Sequence, residues 1–207
     1  MCTRFYIKHD EKEIKELVEA IQGSLLFRKF FEAGKEIVTR GEIRPTNVVP
    51  VIASNREGRR TAFPMQWGFN IAGRSPILNA RTETAAVKPT FKEAWAKHRC
   101  AIPASWYYEW EHLISETGKK KTGAKYAIRP KNAGVTWLCG LYRIEDGLPA
   151  FTVLTREPSA ELKKLHDRMP LILPEERIGD WIAPDIDPAD LLQYSLTDMA
   201  IEEAVDS

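Results

Sequence analysis

The sequence is poor in the features that would place it quickly. Its three cysteines, Cys2, Cys100 and Cys139, are odd in number and widely spaced. That excludes a disulfide framework and fits a reducing compartment. No apolar run approaches the ~20 residues of a membrane span. The opening MCTRFYIKHDEKEIK has no apolar stretch of the kind a secretory leader needs, so a cytoplasmic location is expected. Neither sign of charge dominates: 30 basic residues stand against 29 acidic ones. A nucleic-acid ligand would therefore need the positive charge gathered on one face. His98 and Cys100 form the only close His/Cys pair, with no CxxC or HxxxH beside it, which argues against structural zinc. There is no glycine-rich phosphate loop, no G-x-S-x-G elbow, no internal repeat and no long linker.

What is present is an ordinary globular balance, 43% apolar and 29% charged over 207 residues, enough for one domain with a real core. Asp10–Gln22 reads as a helix, with Ile14, Leu17, Val18 and Ile21 at helical spacing, Asp10 and Glu13 as a capping box and Gly23 as its stop. Ser24–Ala33 reads as a second short helix ending at Gly34. Asn47–Ser54 and Arg60–Asn70 flank the turn-like Asn55–Gly58 and suggest a hairpin. The prolines inside both runs point to edges or bulges. Further strands are expected at His98–Ala101, Trp106–Trp110, Lys125–Arg129, Val135–Tyr142 and Ala150–Thr155. Helical pieces are expected at Thr82–Ala86, Thr90–Lys97, Pro158–Leu165, Pro174–Trp181 and Ala189–Tyr194. Ser115–Gly123 reads as a basic surface loop, and the residues from Asp198 as a mobile acidic tail. The pattern predicts a single α+β domain with a β-rich core, barrel-like or made of curved antiparallel sheets, flanked by short helices.

Four polar residues stand in unusual surroundings. Cys2 follows an initiator methionine that an aminopeptidase can remove. It would then carry an α-amine and a thiol on one residue, both with reactive forms near neutrality. Such a 1,2-aminothiol condenses with an aldehyde to a thiazolidine. Equally, Cys2 could be a small residue starting an edge strand. Asn79 follows an apolar strand-like run and offers an amide to a ligand, or caps the helix after it. Glu109 lies among four aromatics, where desolvation would suit it to proton transfer, or it occupies an outward strand position. His166 is placed to move protons near neutral pH, or caps the end of a helix. Arginines and aromatics interleave at Arg4, Arg44, Arg59, Arg60, Trp67, Arg74, Arg81 and Trp106, as a single-strand groove requires.

Taken together the chain resembles the SRAP (SOS-response-associated peptidase) family, which shields abasic sites in single-stranded DNA. The matching pieces are Met1-Cys2-x-Arg4-Phe5, Arg44-Pro45-Thr46, Gln66-Trp67-Gly68-Phe69, Asn79-Ala80-Arg81, Arg99-Cys100-x-Ile102-Pro103, Tyr107-Tyr108-Glu109-Trp110, Cys139-Gly140-Leu141-Tyr142 and His166-Asp167-Arg168-Met169-Pro170. They run in the family's order over nearly the whole chain. Thr3 departs from the family's usual glycine and adds bulk beside the nucleophile.

The resemblance implies one SRAP-like domain over residues 1–207. It implies that Cys2, once Met1 is removed, crosslinks to the opened sugar of an abasic site. Asn79 would hold Cys2 and the sugar, Glu109 would shuttle protons, and His166 would protonate the ring oxygen. Arg4, Arg44 and Arg81 would grip phosphates, and Trp67 and Trp106 would stack on or wedge between bases. No metal or organic cofactor is implied. The expected partners are abasic single-stranded DNA and proteins of the replication fork, with the chain a nucleoid-associated monomer. Two alternatives stand beside this. One is a thiol peptidase or lyase-type enzyme using Cys2, His166 and Glu109, in its mildest form on its own Met1. The other is a non-covalent single-strand binding module.

Overall fold

A computed structural model of the chain describes residues 2–8, 11–114 and 120–204. In chain order the elements are β1 (Arg4–Ile7), α1 (Lys12–Ile21), α2 (Leu25–Glu32), β2 (Gly41–Ile43), β3 (Val48–Ser54), β4 (Arg60–Trp67), β5 (Phe69–Ile71), β6 (Arg74–Ile77) and β7 (Asn79–Arg81). Then come α3 (Thr82–Ala85), α4 (Lys92–Lys97), β8 (Arg99–Ala104), β9 (Trp106–Ile114), β10 (Lys120–Pro130), β11 (Thr136–Glu145) and β12 (Leu148–Arg156). The chain ends with β13 (Met169–Pro170), α5 (Ile178–Ile182), α6 (Pro188–Leu191) and β14 (Met199–Glu203).

Five strands close on themselves in the order β11, β8, β3, β4 and β12, with β12 pairing back to β11. This is the barrel the sequence suggested. A second sheet runs β14-β10-β9-β1-β2. Its inner face, carrying Phe5, Ile7, Ile43, Tyr107, Ile128 and Met199, packs against Val49, Val51, Met65, Ile102, Phe151 and Val153 of the barrel strands. Alternate residues of the same barrel strands, such as Ile52, Ala101, Cys139 and Leu154, pack with Phe91, Trp95, Ile178 and Trp181 of the helical side. Both faces of these strands are covered, which is why β3 and β12 read as nearly continuous apolar runs.

The hairpin of β3 and β4 forms as expected, but its prolines are not at an edge. Pro50 and Pro64 face each other between two barrel strands. Trp67 N–H bonds the Asn47 carbonyl and Asn55 N–H bonds the Arg59 carbonyl, both at 2.9 Å, so hydrogen-bonded pairs fall on odd positions of β3. Pro50 and Pro64 therefore occupy a non-hydrogen-bonded pair, where no donor is missed. Their nitrogens point to outer sides where β8 reaches only Ile52 and Ala53, and β12 only Gln66 and Trp67. A second hairpin joins β11 to β12 through Asp146 and Gly147, with φ of 50° and 79°, the pair of left-handed residues a tight two-residue turn requires. The second helix is present as α2, with the Ser24 hydroxyl accepting from Phe27 N–H.

Other expectations need correction. Pro158–Leu165 holds only one 3-10 turn, Leu162–Lys164. His166 N–H already bonds Leu162 O, and the chain must then extend so that β13 can pair with β12. Pro174–Trp181 splits into a 3-10 turn and α5. The acidic end is structured as far as Glu203: β14 pairs with β10, and Met199 is buried. Of the basic loop, Lys120–Gly123 belongs to β10, while 115–119 lies outside the described residues, as does Asp10, the expected helix cap. No helix among the described residues is long and apolar enough to cross a membrane.

Arg99 is 1% exposed, and its hydrogen-bond partners are carbonyl oxygens, with the Asp187 and Asp185 charges adding to their effect. Its guanidinium donates to Trp95 O (2.8 Å), Ala96 O (2.7 Å), Trp181 O (2.6 Å), Ile186 O (2.9 Å) and Ala183 O, joining the ends of α4 and α5 to the barrel. The α4 and α5 carbonyls are ones that helix ends leave unbonded, and they carry the negative end of the helix dipole. Truncation would leave several buried acceptors unsatisfied. Arg99→Ala is expected to lower unfolding free energy by at least ~3 kcal/mol in denaturant titration, with Arg99→Lys recovering only part because an ammonium lacks the planar fork.

Candidate active site

The N-terminal segment is held inside a sheet. β1 pairs with β2 on one side and β9 on the other, with Arg4 opposite Tyr108 and Phe5 opposite Tyr107. Cys2 thus leads into an internal strand rather than an edge. It is 1% exposed, and its thiol sits 3.6 Å from the Arg4 carbonyl. Burial pushes the thiol well above its ordinary pKa, and the nearby Glu109 charge adds to this.

Asn79 opens β7, which runs parallel to β12 with Asn79 opposite Val153. Its Nδ2 donates to the Cys2 carbonyl at 2.9 Å, and its Oδ1 is buried with no hydrogen-bond partner. The residue before it is pinned from below: Trp67 Nε1 donates to Leu78 O at 3.0 Å.

Glu109 projects from the same face of β9 as the buried Tyr107, since alternate residues share a face. It is 4% exposed, and burial raises its carboxyl to about 7, with the Asp167 charge contributing in the same sense. His166, 6% exposed, places Nε2 at 3.8 Å from Glu109 Oε2. Its Nδ1 accepts from Arg168 N–H at 3.0 Å. In the neutral ring the proton therefore sits on Nε2, facing Glu109. Asp167 Oδ1, also 3.0 Å from Nδ1, is placed to accept a hydrogen bond from that nitrogen when the ring is charged. Four residues distant in sequence are thus in one place: a buried cysteine, an amide on its carbonyl, a carboxyl raised to about 7, and an imidazole nitrogen 3.8 Å from it.

The other face of the second sheet is different in kind. Trp106, Tyr108 and Trp110 alternate with Tyr107 and Glu109 and point away from them. Arg4, Arg44 and Lys125 all bond Glu42, at 3.2 Å for Arg44 and 2.8 Å for Lys125. Burial would raise the Glu42 carboxyl, but hydrogen bonds from Lys125 and Arg4 outweigh it and hold the group below its ordinary value. Lys125 lies over the rings of Tyr108 (4.1 Å) and Trp110 (5.6 Å), and Arg4 over Trp110 (5.9 Å). Three cations around one carboxylate, with aromatics beside them, form a local positive patch on a chain of formal net charge +1.

Of the residues expected to touch a ligand, Arg4 and Arg44 are in this patch, and Arg81 is exposed at the end of β7. Trp106 is half-buried and stacked on Tyr6, with centroids 4.5 Å apart. Trp67 is a correction. It is fully buried between Phe5 and Phe151 and has no face open to a base. Trp110 and Lys125 escaped sequence reasoning, although the period-2 pattern of Trp106-Tyr107-Tyr108-Glu109-Trp110 separates the two faces.

A family model for SOS response associated peptidase (SRAP) matches residues 1–205. The chain is 32% identical over 205 residues to the abasic site processing protein YoaM of Bacillus subtilis, covering 95% of this chain and 85% of that one. It is 26% identical over 193 residues to the abasic site processing protein YedK of Escherichia coli, covering 90% and 81%. A crystal structure of a protein from Bordetella bronchiseptica superposes with a TM-score of 0.72 at 23% identity, over 99% of this chain and 100% of that one.

The raised Glu109 carboxyl has a consequence for stability. Its folded pKa exceeds the value of the free group, 4.5, so the folded state holds the extra proton between about 4.5 and 7. Stability is therefore lost as pH rises through that window. Glu109→Gln, which stays neutral, is expected to gain on the wild type by up to ~3 kcal/mol between acid and pH above 7, read by denaturant unfolding at a series of pH values.

Proposed function

Because the chain belongs to the SOS response associated peptidase (SRAP) family, we propose that it processes abasic sites in single-stranded DNA through a covalent thiazolidine on Cys2. The form that reacts has lost Met1, so that Cys2 carries the α-amine. The observation that carries this reading is the convergence of Cys2, Asn79, Glu109 and His166 in one buried site whose carboxyl titrates near neutrality.

The abasic sugar opens to an aldehyde as a proton reaches its ring oxygen, and His166 is the donor. The Cys2 amine attacks C1′, and water leaves as the imine forms. The thiol then adds across the C=N bond: sulfur bonds C1′, and the thiol proton passes to nitrogen. Glu109, with a pKa of about 7, accepts and returns protons in these steps. Asn79 fixes the Cys2 carbonyl, and its free Oδ1 is available to a sugar hydroxyl. Arg4, Arg44, Arg81 and Lys125 take flanking phosphates, and Trp110 with Trp106 offers stacking surface.

The burial of the thiol supports aldehyde chemistry over a thiol peptidase. A peptidase cysteine must be a thiolate at working pH, and here both burial and Glu109 oppose ionisation. Addition to an imine tolerates a protonated thiol, because its proton is transferred in the same step.

Incubation of the processed protein with an abasic single-stranded oligonucleotide is expected to give a band that survives denaturing electrophoresis. Cys2→Ala should abolish it, and Glu109→Gln should slow its appearance by about a hundredfold. An adduct from Cys2→Ala protein, or none from wild type, would sink the reading.

The DNA face has its own test, with intact single-stranded DNA in a salt titration. Lys125→Ala is expected to flatten the slope of log K against log salt by about 0.7. Trp110→Ala should weaken binding by ~1–3 kcal/mol without changing that slope.

A further inference from the structure

The segments carrying Asn79 and His166 flank the same end of β12. β7 pairs along one edge, with Thr155 opposite Arg81, and β13 along the other, with Thr155 opposite Pro170. Thr155 is the node between them. Its hydroxyl donates to Ala80 O at 3.3 Å, and its carbonyl accepts from the Thr82 hydroxyl at 3.3 Å and from Arg168 Nη2 at 2.7 Å. The Arg168 side chain continues across β12 to Glu83 in α3. There it forms a two-point ion pair, Nη1 to Oε1 at 2.8 Å and Nη2 to Oε2 at 2.9 Å. That side chain is only 10% exposed, and the hydrogen bonds from Arg168 hold the Glu83 carboxyl below its ordinary value. The backbone N–H of the same arginine donates to His166 Nδ1. One residue therefore clamps two chain segments with its side chain and selects the tautomer of the histidine with its main chain.

We propose that Glu83 and Arg168 are positioning residues, a strap across β12 that keeps His166 in its Nε2–H form, aimed at Glu109. A planar guanidinium in a forked pair fixes both distance and orientation, which a lysine in its place would not do. With the strap released, the Arg168 N–H is free to leave Nδ1. The neutral ring then distributes its proton over both nitrogens, and the donor facing Glu109 is lost for part of the time. What His166 does in the reaction rests on the function proposed above. Its tautomer does not.

The experiment pairs two readouts on wild type, Glu83→Gln and Arg168→Lys. The first is nitrogen NMR of the His166 ring in the neutral form, without DNA. The second is the rate of adduct formation at saturating abasic single-stranded DNA. Wild type is expected to show a pyridine-like Nδ1 and a pyrrole-like Nε2. Both variants are expected to show averaged nitrogens and a rate at least ~10-fold lower, the usual cost of removing an outer partner of a functional histidine. Affinity for intact single-stranded DNA should stay within about twofold, since Arg168 is already committed to Glu83. An unchanged tautomer in both variants overturns the proposal. So does Glu83→Gln protein that reacts at the wild-type rate and binds intact DNA more tightly, because Arg168 would then be a phosphate contact that Glu83 restrains. Absence of any adduct from wild type would refute the proposed function, and the NMR result would still decide the strap.

Discussion

Strand β12 shares each of its edges between two partners: β4 and then β7 on one side, β11 and then β13 on the other. Its backbone ladder closes the barrel and also brings the reactive groups into range. β7 delivers Asn79, and β13 anchors the segment that carries His166. The remaining two groups come from the second sheet, where β9 holds Glu109 and β1 leads from Cys2. The site therefore lies at the seam between two sheets, and each sheet supplies half of it. Only their packing, through Phe5, Tyr107, Trp67 and Phe151, brings the Cys2 carbonyl to the Asn79 amide.

Cys2, Glu109 and His166 are buried at that seam, and burial sets the proton inventory. A carboxyl taken out of water holds its proton to about pH 7, and a thiol treated the same way does not ionise. The fold bears a cost for this, because an ionised Glu109 is less well solvated than in the unfolded chain. Such local instability is common where activity needs a perturbed group. The compensation lies elsewhere, in a core covered on both faces of its strands and in a buried arginine whose charge is met by carbonyls at the ends of α4 and α5. The exposed side of the second sheet follows a different logic. There Glu42 gathers Arg4, Arg44 and Lys125 beside Trp110, so charge that is balanced over the whole chain is concentrated in one place.

Much of this could be read from the residues. Apolar, strand-like runs bounded by turn residues located the barrel strands, and Ser24 and Gly34 marked the ends of α2. Cys2 stood out by its place beside the initiator methionine, Asn79 and Glu109 by their apolar and aromatic settings, and His166 by its type beside Asp167 and Arg168. What escaped was information that no local pattern holds. β14 is a short stretch, Met-Ala-Ile-Glu-Glu, inside an acidic end of the chain, and it is a strand because β10 offers it an edge. The segment from Pro158 to Leu165 has helical composition, but pairing of β13 with β12 stops it after one turn. Trp67 was taken for a ligand-facing aromatic, yet the end of β4 is buried on both faces. Its indole serves the site indirectly, by holding Leu78 and hence the start of β7.

The one departure from the family pattern near the nucleophile, Thr3, can now be weighed. A glycine is indispensable where the backbone takes a positive φ or where a Cβ would collide. Among the described residues the only non-glycine positions with positive φ are Thr46 and Asp146, so Thr3 sits in the ordinary region. It immediately precedes β1, where a β-branched residue fits an extended backbone. The threonine also stiffens the link between Cys2 and the strand. In the function proposed for Cys2, a nucleophile meeting an aldehyde with its carbonyl tied to Asn79 would gain from a chain that has fewer conformations to lose. The substitution is thus compatible with the chemistry assigned to Cys2, and it shifts the burden of substrate access from the backbone at position 3 to the groups around it, Asn79 and the Glu109–His166 pair.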